Sequence, residues 1–143
     1  VKPDQVVAVL LFTLAGSAHG SDWQRVAEFR DQGATFLLDA ESVVAVGQNR
    51  KAWVEVDFTT EQSVPGSPLK KYLSERWLHY FDCAQKTSTQ IQYVYYDNAM
   101  RVVASHAWTF EAGKMTDVVP GSAIEAMLLH TCRIKLARRP KQS

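Results

Sequence analysis

Apolar and polar side chains alternate strictly through Lys51-Ala52-Trp53-Val54-Glu55-Val56-Asp57-Phe58. Neighbouring residues of a strand point to opposite faces, so a period of two buries one set and leaves the other toward water. Ala52, Val54, Val56 and Phe58 form the buried set, and Lys51, Trp53, Glu55 and Asp57 the outer one. A helix of 3.6 residues per turn would scatter both sets around its circumference. The segment therefore predicts a half-buried strand of an antiparallel sheet. Weaker forms of the pattern recur at residues 23–29, 35–39, 43–46, 72–83, 89–96 and 101–110, giving an antiparallel sheet of about six strands.

The breaks in the pattern carry turn chemistry. Gly47-Gln48-Asn49 and Asp97-Asn98 each separate two strands closely enough for a hairpin. Ser63-Val64-Pro65-Gly66-Ser67-Pro68 is the longest interruption and predicts an exposed loop. One helix follows Pro120-Gly121. Ser122 with Glu125 three residues later forms a capping box, in which hydroxyl and carboxylate satisfy free amides of the first turn. Ile124, Leu128 and Cys132 then recur every four residues on the face that packs. A sheet with one amphipathic helix laid on it is an α+β domain.

Residues 1–20 read differently. Val6 to Ala15 is an apolar run without charge, too short for the roughly twenty residues of a membrane span. Small residues at Gly16, Ser17, Ala18 and Gly20 suit cleavage after Ala18 or Gly20, as in a secretory leader. Ser17 stands where a lipid-carrying cysteine would follow Leu14-Ala15-Gly16, so no lipid anchor is expected. The sequence thus divides into a cleaved leader at 1–20, one domain at 21–132 and a basic tail at 133–143. The expected location is outside the cytoplasm, in the periplasm rather than at the cell surface.

Export bears on the two cysteines. An even count in an oxidising compartment favours a disulfide, and Cys83 and Cys132 allow one intramolecular pairing; the alternative is two separate buried thiols. The bond would close a loop of about fifty residues, worth roughly 4 kcal/mol in the chain-entropy model. Neither cysteine has a companion at close zinc spacing. Charge is unevenly placed. Residues 21–132 hold ten Lys or Arg against fourteen Asp or Glu, while Arg133, Lys135, Arg138, Arg139 and Lys141 give the tail five positive charges and no negative one. Those five are the candidate contacts for an anionic partner, set against an ordinary solvated terminus.

Catalysis finds no pattern. His79, His106 and His130 lie in no nucleophile–base or metal-ligand spacing, and Glu55 with Asp57 reads as a solvated face. Tyr93 with Tyr95, His106 with Trp108, and Trp77 with Phe81 share faces, a pattern of cross-strand packing. The chain reads as a non-enzyme with no cofactor, no metal and no nucleic-acid partner.

In order along the chain, Phe36-Leu37-Leu38-Asp39 with Ser42, Ala52-Trp53-Val54 with Asp57, Phe81-Asp82-Cys83, Tyr95-Tyr96-Asp97, Trp108, and Val119-Pro120-Gly121-Ser122 running to Cys132 resemble the surface-adhesin protein E family of bacterial envelope proteins. The resemblance implies an exported domain whose C-terminal helix is tied to an antiparallel sheet by a disulfide, with Cys83 and Cys132 on the paired positions. It also implies binding to an envelope or host surface protein. Asp97-Asn98-Ala99-Met100 lacks the glycine usual at that turn. The expected function is a non-catalytic binding domain that uses an exposed sheet face, the proline loop or the basic tail; the alternative is a structural accessory of the envelope without adhesive activity.

Overall fold

The computed structural model describes residues 20–136. The leader expected at 1–20 lies outside these residues except for Gly20, as does the tail beyond Leu136. Among the described residues, eight strands form one antiparallel sheet: β1 Trp23–Phe29, β2 Ala34–Asp39, β3 Val44–Val46, β4 Asn49–Val64, β5 Ser67–Asp82, β6 Thr87–Tyr96, β7 Val102–Ala107 and β8 Thr116–Asp117. The main order is β1-β2-β4-β5-β6-β7, with β3 beside β4 and β8 beside β6. One helix, α1, spans Ala123–Arg133. The α+β architecture is as the alternation predicts, with eight strands where about six were expected. The additional β8 is a two-residue pairing, too short to leave a periodic signal.

The face assignment of β4 holds: Ala52, Val54 and Val56 are fully buried. They meet Leu38 and Phe36 across β2 and pack with Phe81, Met127 and Leu128 in one core. The hydroxyl of Ser122 accepts from the Glu125 amide at 3.2 Å, and the Glu125 carboxylate accepts from Gly121 N at 2.7 Å. The box therefore closes one residue earlier than its usual reciprocal form. Met127, Leu128 and Thr131 are the buried residues of α1, while Ile124 and Cys132 pack at the margin of the core. The helix is thus turned from the expected stripe by roughly 50°. Its C-terminal end is held twice. Cys132 is bonded to Cys83, with their Cα atoms 5.8 Å apart. Arg50 Nη1 donates to the carbonyls of Thr131 and Ile134 at 2.7 Å each, a cation at the negative end of the helix dipole.

The proline segment is not a loop. β4 and β5 run sixteen residues each and meet through Pro65-Gly66 alone. Gly66 takes the left-handed conformation this turn needs, at φ +75°. β2 pairs β4 only as far as Phe58, and β6 pairs β5 only from Ser74. Residues 59–73 therefore form a two-stranded arm whose outer edges have no strand partner among the described residues. Pro68 is tolerated there because an edge position need not donate to a ladder. The turn without glycine at 97–100 places Met100 at φ +57°. Asp97 Oδ1 holds it by accepting from the amides of Ala99 and Arg101 at 2.9 and 3.0 Å. These bonds draw the exposed Asp97 carboxyl below its ordinary pKa.

Candidate functional site

The helix-side face of the sheet is covered unevenly. α1 packs against β1, β2, β4 and the end of β5, and the same face continues over the rest of β5, β6 and β7. Register places Glu75, Trp77, His79 and Phe81 of β5 on this face, opposite Val56, Val54, Ala52 and Arg50 of β4. On the other side, Glu75 and Trp77 pair with Tyr95 and Tyr93, which pair in turn with Ala104 and His106.

At the covered end, the His79 ring stacks on Phe81 at 5.3 Å, and neither of its nitrogens has a hydrogen-bond partner among the described residues. Burial lowers its pKa to about 4, so the imidazole is neutral at pH 7. At the open end, Tyr72 stacks on Tyr95 at 4.4 Å and Tyr95 on Tyr93 at 4.7 Å. Trp108 lies 5.7 Å from Tyr93 and 4.6 Å from His106. The row emerges into solvent, where Trp108 is 48% exposed. A cleft of about 240 Å³ borders Trp108, with Glu111 and Lys114 paired at 3.4 Å on its rim.

Glu75 lies at the root of this row. It is 6% exposed and has no ion-pair partner among the described residues. Burial pushes its pKa up to about 7. Burial, then the Glu75 charge, push the Tyr72 hydroxyl up to about 12 and raise Tyr95 as well. A carboxylate in this setting gains from any cation brought against the aromatic face. Sequence alternation missed both Tyr72 and Glu75. The pairing slips between Asp57 and Gln62 on β4, so Tyr72 and Glu75, three residues apart, face the same way. Extending the shared face of Trp77 and Phe81 by one period would have found Glu75.

The other candidates are dispersed. Arg133 and Lys135 are exposed at the helix end, without an ion pair among the described residues, while Arg138, Arg139 and Lys141 lie outside them. His130 bonds the Gln24 side chain at 2.8 Å, and His106 belongs to the aromatic row. On the opposite face Glu55 is committed to an ion pair with Arg76. Burial and the Glu55 charge raise the Asp57 carboxyl, with Arg76 pulling the other way. No three His, Cys, Asp or Glu among the described residues are grouped to hold a metal, and no helix there is long and apolar enough to cross a membrane.

The family model for surface-adhesin protein E matches residues 23–133. The chain belongs to the surface-adhesin protein E family. Its fold is that of Haemophilus influenzae protein E. One structure of that protein aligns at TM-score 0.53 and 17% identity over 77% of this chain and 83% of the other. Its crystal form II aligns at TM-score 0.54 and 16% identity over 79% and 91%. At such identity the likeness speaks for the fold. No curated protein matches the chain in sequence.

Proposed function

We propose that this member of the protein E family is a non-catalytic, exported binding domain, and that the open half of its helix-side face takes a protein partner. The observation that carries the reading is the row Tyr72-Tyr95-Tyr93-Trp108, which emerges from the core into solvent with a carboxyl group at its root. Tyrosine and tryptophan supply large, stiff contact area with a polar tip, the composition of binding hot spots. Glu75 favours a partner that presents a basic side chain to the rings. The family's description as a surface adhesin supports a protein partner outside the cell. Residues 1–20 are read as the leader that takes the domain there, with the periplasm preferred over the surface, and the basic tail as an auxiliary contact.

The test has two stages. The full chain is expressed with its leader and the cells are fractionated, with intact mass measured by alkylation before and after reduction. A product cut near Ala18 or Gly20 and blocked until reduction is expected. Binding of that product to immobilised extracellular matrix proteins is then measured for the wild type and for Trp108→Ser. Binding that falls about tenfold or more in the variant supports the reading. Equal binding by both moves the contact away from this face. An uncut product with free thiols overturns export, and co-purification with an envelope complex without matrix binding favours the structural accessory.

A further inference from the structure

The face of the sheet opposite α1 carries a second aromatic site that does not share a side chain with the first. Trp23 of β1, Asp39 of β2, Trp53 of β4, Arg76 of β5 and Tyr96 of β6, with Ser21, line a cleft of about 230 Å³. Its parts are fixed before anything enters. The Arg76 guanidinium lies between two rings, 5.1 Å from the Trp23 centroid and 5.2 Å from that of Tyr96, and Glu55 binds it from the neighbouring strand. Asp39 is 7% exposed. Its Oδ1 accepts from the amides of Asp22 and Glu41 at 2.9 and 3.2 Å, which sets the plane of the carboxylate.

These groups select an occupant by its chemistry. Asp39 and Arg76 set opposite charges side by side, so an anion drawn to the guanidinium meets the carboxylates of Asp39 and Glu55, and a cation drawn to Asp39 meets the guanidinium. A purely apolar molecule would strip water from the guanidinium and carboxylate edges and return no hydrogen bond. A hydroxyl both donates and accepts, so it matches a carboxylate and a guanidinium side by side, while the C–H face of a sugar ring packs on an indole. The volume lies below the roughly 300–1,000 Å³ of drug-sized sites, enough for one ring rather than a chain. We propose that this cleft binds a single neutral pyranose unit, with Trp53 as the stacking platform and Asp39 and Arg76 as the hydroxyl partners. Rings and polar groups already held in place reduce the ordering cost of binding.

The four tryptophans allow both faces to be read in one experiment. Trp23 and Trp53 line the cleft, and Trp77 and Trp108 stand on the helix-side face. Their indole N–H signals are followed by NMR while methyl glucopyranoside, methyl galactopyranoside or N-acetylglucosamine is added, with glucuronate and glucosamine as charged counterparts. The expected result is a saturable shift of Trp23 and Trp53 with a neutral sugar, with Trp77 and Trp108 unmoved and both charged sugars about fivefold weaker or worse. Trp53→Ala should weaken binding about tenfold while the Trp77 and Trp108 signals report an intact fold; if it does not fold, Trp53→Phe should weaken binding by a smaller factor. No saturable shift with any neutral sugar, shifts confined to Trp77 and Trp108, tighter binding of either charged sugar, or undiminished binding by the folded Trp53 variant overturns the proposal. Apart from shifts at Trp77 and Trp108, these outcomes leave the partner face untouched; protein binding there is tested separately through Trp108.

Discussion

One strand, β5, runs through two different environments on a single face. At its C-terminal end Phe81 is sealed among Leu38, Val54, Met127 and Leu128, all 2% exposed or less. Toward its middle the face turns to Trp77 and Glu75, which lie beside the tyrosines of β6. Aliphatic side chains have no group that water can satisfy, so they require a cover, and α1 supplies it. Tyrosine and tryptophan have an apolar body and a polar tip and are stable at a boundary. The change in residue type along β5 therefore marks where the helix stops. The covered half holds the fold together, and the open half is left for contact.

Breaking the cover should give the largest effect. Replacing both Cys83 and Cys132 by Ser removes a cross-link between residues 49 apart and is expected to cost about 4 kcal/mol, measured by urea unfolding. A loss below about 1 kcal/mol would show that burial alone holds the helix. Leu128→Ala leaves the bond intact and empties part of the core, with an expected cost of about 3 kcal/mol in the same assay. If Leu128→Ala proves neutral, α1 is not the cover of this core.

How much of this was legible depends on how local each signal is. The inner face of β4 and the Ser122–Glu125 box could be read because neighbouring residues determine them. The cysteine pairing could be read because two thiols leave one choice. The continuous β4–β5 hairpin could not: Pro65 and Pro68 argue for a loop unless it is known that the arm has free edges. Tyr72 was hidden by an irregular pairing next to it, whereas Glu75 needed only the face of Trp77 and Phe81 carried one period further. Met127 and Thr131 were missed because the stripe was drawn through Ile124, Leu128 and Cys132, while Ile124 and Cys132 lie at the margin of the core. The aromatic pairs were visible, but packing and contact look alike in sequence. Only the extent of α1 distinguishes them.

The smallest expected effect sets the two ends of β5 against each other. His79, at the covered end, has a pKa of about 4, below its ordinary 6.5. The stability it contributes is present above pH 6.5 and is lost as pH falls through 4. Glu75, at the open end, has a pKa of about 7, above its ordinary 4.5. Its contribution is present below pH 4.5 and is lost as pH rises through 7. Between pH 4.5 and 6.5 the two slopes oppose, so the wild-type urea midpoint should change little. Glu75→Gln removes one slope, and stability should then fall on acidification from pH 6.5 to 4, by on the order of 2 kcal/mol. His79→Met removes the other, and stability should instead fall as pH rises from 4.5 to 7. If the wild type already loses stability on acidification from pH 6.5 to 4, and Glu75→Gln leaves that slope unchanged while His79→Met removes it, the Glu75 carboxylate is hydrated, and the open end of β5 is a wet surface rather than an aromatic one.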